Sequence, residues 1–190
     1  MSGFEDSSLP LGRGAVGGIA AWLFGYLVAY VWKSNAVAET LEGVGFISQL
    51  LGGEAVPTWK GVAWLFMNAH FVAAKAPTIT GATQTVNLVT AEEGPTALLV
   101  LPPLVLILAG IAVAYGLTRS EDPIAGAKSG ATLALGYLPL SIGAAFLTSH
   151  AIGDTDAAIA PDPVTAILLA GVVYPVVFGG LGGVVPSYLE

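Results

Sequence analysis

Apolar residues in this chain run in long unbroken stretches instead of alternating or recurring once per turn. Five such stretches, roughly 14–32, 59–75, 96–118, 124–148 and 163–185, are separated by short polar segments. About 20 helical residues, rising 1.5 Å each, cross a hydrocarbon core of about 30 Å, and four of the five meet that length or fall just short. Thr96 to Leu117 contains no charged residue at all. The pattern predicts an all-α polytopic membrane bundle of five transmembrane helices. It forms a single domain over 13–190 behind a polar, Gly- and Pro-bearing tail at 1–12.

Between the first two stretches the pattern changes. Val37, Leu41, Val44, Ile47 and Leu51 recur at three- and four-residue steps, with Glu39, Glu42, Ser48 and Gln49 elsewhere on the wheel. That predicts a separate amphipathic helix over 36–51, lying along the membrane surface and stopped by Gly52-Gly53. Within the first stretch, Gly14, Gly18, Ala21, Gly25 and Ala29 have the small-xxx-small spacing that lets helix backbones approach closely in lipid. The second stretch is the most polar inside, with Asn68 and His70 between Trp59-Lys60 and Lys75-Pro77. After it, Thr78-Ile79-Thr80 and Thr85 to Thr90 are β-branched and partly alternating about Gly81-Ala82, which predicts a short hairpin outside the bilayer. The last three stretches carry Pro102-Pro103, Pro139 and Pro175, and a proline inside a helix predicts a kink. Gly179-Gly180-Leu181-Gly182-Gly183 is either a close-packing face or a frayed end.

Composition sharpens this picture. Mean hydropathy is +0.79, and charged residues make up 10% of the chain, against about 25% in soluble domains. With 13 acidic and 6 basic residues there is no basic footprint for nucleic acid. Absence of cysteine excludes disulfides, thiolate metal sites and a cysteine nucleophile. Few lysines, many carboxylates and abundant Ala, Gly and Val suit a protein of a halophile, whose acidic surface stays hydrated in high salt. Ala36-Val37-Ala38 resembles a signal-peptide cleavage site, but the apolar run before it exceeds the usual length and is preceded by Glu5 and Asp6, which predicts a retained helix. Five crossings place the termini on opposite sides. The Lys/Arg count then favours the N-terminus outside and the C-terminus inside, by a margin of two residues.

Polar groups at membrane depth are costly and so mark candidate chemistry. Asn68 and His70 lie two residues apart and project about 200° from one another on a helix. His70 has a tyrosine or a proline-freed carbonyl as its expected partner. Tyr137-Leu138-Pro139 and Tyr174-Pro175 put a tyrosine beside a proline in two helices, an arrangement related to the broken helices of transporters. The candidate site is therefore Asn68, His70, Tyr137, Pro139, Tyr174 and Pro175. His150, Asp154, Asp156 and Asp162 form a loop with oxygen and nitrogen donors, but without the glycine-fixed geometry of a calcium loop it reads as a solvated acidic loop. No catalytic motif appears, and Ser129 and Ser141 have no base in prospect.

Asn68-Ala69-His70-Phe71-Val72, Gly136-Tyr137-Leu138-Pro139 and Val173 to Gly180 resemble segments of small multi-pass membrane proteins of halophilic archaea. The resemblance covers the second, fourth and fifth stretches. It implies an origin and a membrane address, and transfers no catalytic residue. The expected function is a non-enzymatic integral membrane protein, a helper or scaffold subunit or a self-assembling protein. Its partners would be the lipid bilayer and copies or subunits meeting its small-residue faces, and it would need no cofactor. The alternative is a small-solute or ion permease built around His70. A wet polar cavity reaching His70 would favour the permease, and dry packing there the scaffold.

Overall fold

A computed structural model describes residues 9–50, 52–78, 82–115, 122–152 and 158–189, with the side chains of 44, 47 and 50 outside the description. Among the described residues four helices, not five, are long and apolar enough to cross a membrane: Leu11–Gly43, Thr96–Tyr115, Pro123–Leu147 and Pro163–Tyr188. The first belongs to a single helix α1, Leu11–Leu50, of 40 residues. The separate surface helix expected over 36–51 is the C-terminal part of α1. Trp32-Lys33-Ser34-Asn35 marks a change of polarity, but no glycine or proline interrupts residues 26–42, so nothing breaks the hydrogen-bond ladder. The helix does stop at Gly52, with φ 82°. There Gly53 N–H reaches the Ser48 carbonyl (2.9 Å) and Gly52 N–H the Gln49 carbonyl (3.1 Å), the paired bonds of a glycine-terminated helix end. The pattern positions Val44, Ile47 and Leu51 lie outside the described side chains.

The second apolar stretch is not a span. Helix α2 covers only Thr58–Asn68, about 16 Å at 1.5 Å per residue. The chain turns at Phe71, the one described non-glycine residue with positive φ (60°), and leaves as strand β1, Ala74–Pro77. Val72, Ala73 and Ala74 are as apolar as a helix interior, which is why hydropathy ran on through them. The excursion enters and leaves at one end of the bundle. Its start is pinned to the end of α5 (Ala134–Leu147) by Lys60 Nζ to the Ser149 carbonyl (2.6 Å) and Trp64 Nε1 to the Thr148 carbonyl (3.0 Å). Its return is pinned by Asp162 N–H to the Ala73 carbonyl (2.9 Å).

The expected hairpin is present, but its strands are β1 and β2 (Thr83–Val86), with Ala74 opposite Val86. The first strand thus precedes Thr78, and Ile79, Thr80 and Gly81 lie outside the described residues. Two further strands, β3 (His150–Ala151) and β4 (Ala158–Pro161), complete an antiparallel sheet of order β2-β1-β4-β3.

A 3₁₀ turn, Thr96–Val100, leads into α3, Leu101–Tyr115. Pro102 and Pro103 occupy the first turn of α3, where an α-helix has amides without intrahelical partners. Asp122 caps α4 (Pro123–Ala131) by accepting from Ile124 N–H at 2.9 Å. A break at Thr132-Leu133 separates α4 from α5, which contains Pro139. The last helix, α6, runs Pro163–Tyr188. Its Ala166–Val173 and Pro175–Gly179 turns are π-wound, and this wider spacing carries the ladder past Pro175, which has no N–H to give.

Glycines seam these helices together. A methyl placed on Gly18 of α1 would land on the Leu133 carbonyl, and one on Gly136 of α5 would land on the Ala15 carbonyl. Gly130 of α4 and Gly179 of α6 face one another in the same way, as do Gly126 and Gly183. The Gly179–Gly183 segment is thus a close-packing face. The four long helices place Leu11 and Tyr188 at the end of the bundle opposite the sheet. Arg13 and Lys128 belong to the end with the termini, and Lys33, Lys60 and Lys75 to the sheet end. Arg119 lies outside the described residues.

Candidate functional site

Three of the expected residues converge. Tyr137 and Tyr174 lie near the middle of the stretches Pro123–Leu147 and Pro163–Tyr188, and the turn after α2 delivers His70 between them. The His70 ring centroid is 5.7 Å from that of Tyr137 and 4.9 Å from that of Tyr174. His70 is fully buried and Tyr137 is 1% exposed.

The hydrogen bonds of this cluster suit a neutral imidazole. His70 Nδ1 lies 2.8 Å from the Phe66 carbonyl. A carbonyl only accepts, so Nδ1 carries the proton. Nε2 then accepts from the Tyr137 hydroxyl at 2.7 Å. The neutral ring satisfies both partners. The carbonyl that His70 meets is the one four residues back in its own chain, not one freed by a proline. Tyr174 Oη donates over 3.4 Å to the Ala69 carbonyl.

Asn68 is engaged elsewhere, as its angular separation from His70 requires. Its Nδ2 donates to the Val72 carbonyl (2.6 Å), and its Oδ1 accepts from Leu88 N–H (2.8 Å). Asn87 Nδ2 donates to the Asn68 backbone carbonyl at 3.1 Å. The polar side chains around this turn are therefore occupied with its backbone: Phe66, Asn68, Ala69 and Val72 each give a carbonyl to one of them. Non-helical backbone deep in an apolar bundle demands such partners. Pro175 is buried beside Tyr174, whereas Pro139 is exposed and outside the cluster.

Sequence reasoning missed Asn87, and it saw Tyr26 and Tyr30 on one side of α1 without the Trp22 and Phe66 that join them to the cluster. Phe66 stands edge-on to His70 (4.8 Å between centroids) and to Trp22 (5.4 Å), and Trp22 stacks on Tyr26 (5.6 Å). The four-residue spacing of Trp22, Tyr26 and Tyr30 was the available signal. Among the described residues, Trp22 Nε1 is a buried side-chain polar atom without a partner.

Other candidates disperse. Ser129 and Ser141 each donate to the carbonyl four residues back, at 2.9 and 3.0 Å. His150 Nε2 meets the Glu54 carbonyl at 3.2 Å. Asp162 pairs with Lys75 at 2.5 Å and caps α6 through Thr165 N–H at 2.9 Å. Asp154 and Asp156 lie outside the described residues, and among the described ones no group of three His, Asp or Glu side chains is placed to hold a metal. The described cavities lie along α1 and none is lined by His70, Tyr137 or Tyr174.

A family model matches residues 2–190. The chain belongs to the family of unknown function DUF7978. The match takes in all four long helices, the α2 excursion and the sheet, so the His70 cluster falls within the family's own extent. No curated protein and no solved structure matches the chain.

Proposed function

We propose that this protein is a non-enzymatic integral membrane protein that acts as a helper, scaffold or self-assembling subunit. Support for the membrane address comes from an inverted side-chain distribution. Glycine and alanine fill the helix contacts, while large apolar residues such as Phe24 (57% exposed), Leu108 (56%) and Leu147 (73%) face outward. In water such a surface would aggregate, and lipid is the solvent that suits it. The acidic composition and the sequence resemblance fit a halophilic archaeon as the source.

The observation that carries the scaffold reading is the closure of the His70 cluster. His70 has no solvent exposure, both its ring nitrogens are engaged, and its hydroxyl and carbonyl partners belong to the chain itself. A proton or solute path needs an open partner, and this site has none. The small-residue faces of α1 and α6 are already occupied within the chain, so a partner subunit would meet the exposed Leu, Val and Phe side chains.

The second reading, a permease, draws on the π-wound turns either side of Tyr174, because such turns gather at functional sites. Purified protein in liposomes, assayed for proton and ion flux, separates the two. The scaffold reading expects flux at the level of empty liposomes, and the same for His70→Ala. Flux in the wild type that His70→Ala abolishes would overturn it.

A further inference from the structure

A groove of about 730 Å³ runs between α1 and α3, and His70, Tyr137 and Tyr174 do not line it. Gly17, Ala20 and Ala112 leave it open, Phe24 and Leu108 wall it, and Arg13 stands at its mouth. From Arg13 to Phe24 the helix rises about 16 Å, close to the hydrocarbon depth of one leaflet, about 15 Å. Arg13 is exposed and makes no side-chain hydrogen bond or ion pair among the described residues. The first turn of α1 holds no acidic residue to offset it, and the amide end of the helix adds positive potential at the same place. An apolar slot of leaflet depth, lined at one end by a cation without a partner among the described residues, fits a phospholipid with a net negative headgroup.

We propose that this groove is a binding site for one anionic phospholipid, with an acyl chain lying along α1 and α3 and the phosphate on Arg13. The proposal rests on the membrane reading above. Arg13 supplies the charge selection, and Ala20 and Ala112 supply the room.

Native mass spectrometry of the protein released from vesicles containing equal phosphatidylglycerol and phosphatidylcholine tests it. The wild type should retain one phosphatidylglycerol in preference to phosphatidylcholine by about fivefold, the selectivity expected of one basic residue at an anionic surface. Arg13→Gln should abolish that preference. Ala112→Phe, a change at an exposed position that fills the slot, should reduce retention of either lipid. No headgroup preference in the wild type, or a preference that survives Arg13→Gln, overturns the proposal. So does a dimer in the wild type that Ala112→Phe dissociates without changing lipid retention, since a second copy would then be the occupant. Protein that pellets with vesicles yet shows no preference sinks the lipid site alone, whereas protein that stays in the supernatant sinks the membrane reading.

Discussion

The α4–α6 contact and the turn after α2 solve the same problem by opposite means. In both, backbone lies deep in an apolar bundle, where an unmet amide or carbonyl costs several kcal/mol. Between α4 and α6 the facing backbones are both helical, so glycine needs only to remove side chains, and Gly130 and Gly179 let two backbones touch. At the turn after α2 the helical ladder has ended. There Asn68, His70, Asn87 and Tyr174 supply the missing partners from their side chains. The first region depends on absent atoms. The second depends on particular polar atoms at particular places.

That contrast predicts where mutation does the most damage. At the glycine seam an added side chain meets backbone, which cannot swing aside. Gly136→Leu drives into the Ala15 carbonyl and Ile19 amide, and should exceed the 1–3 kcal/mol usual for overpacking against side chains. Its expected signature is loss of the monodisperse peak in detergent chromatography. Gly12→Ala, where nothing lies within 4 Å, should leave that peak unchanged. Equal tolerance of the two substitutions would remove the seam from the account.

At the polar turn the effects should be smaller and coupled. Tyr137→Phe deletes the donor to His70 Nε2 and leaves a buried acceptor unmet, about 1–3 kcal/mol. Tyr174→Phe removes only the 3.4 Å bond to the Ala69 carbonyl, and should cost about 0.5 kcal/mol, the low end for a hydrogen bond. Thermal unfolding in detergent ranks them. His70→Phe combined with Tyr137→Phe should cost less than the sum of the two single changes, because the orphaned acceptor goes with its donor. Strict additivity would mean that the two residues do not act as a pair.

The two regions also differed in how far sequence exposed them. Small-xxx-small spacing in α1 identified Gly14 and Gly18 as contact residues because helical geometry turns spacing directly into a face. Tyr137, Tyr174 and His70 were picked out singly as costly polar residues, and their meeting depends on three elements folding together. The length of α2 was illegible for a plainer reason. Hydropathy measures transfer of side chains, and Val72 to Ala74 are apolar whether helical or extended. What decides the matter is Phe71 in the left-handed region and the pairing of β1 with β4, a contact between residues 74 and 161 that no local window sees. Likewise Lys33 signalled an end of α1 that the backbone does not make, because a charge changes the preferred solvent without breaking the ladder.

The smallest expected effect lies where the polar excursion meets the surface. Lys75 on β1 holds Asp162, which also caps α6, so one carboxylate ties the returning strand to the start of a long helix. The Lys75 side chain beside it, followed by the Thr165 amide, keeps the Asp162 carboxyl below its ordinary value. A carboxyl with a lowered native pKa contributes stability that is present above its unfolded value, about 3.9, and is lost as pH falls through the native one. Melting temperature should therefore be flat near neutral pH and decline in acid. Lys75→Met should make that decline shallower, because the native pKa moves back toward the unfolded value, while the Thr165 amide keeps part of the cap in place. Half of the Lys75 side chain is exposed, so the loss at neutral pH should stay within about 1 kcal/mol. High salt should shrink the difference between wild type and Lys75→Met but leave the Gly136 and Tyr137 effects unchanged, because screening acts on exposed charge and not on buried backbone. A salt-insensitive Lys75 effect would place this ion pair with the buried turn instead of the surface.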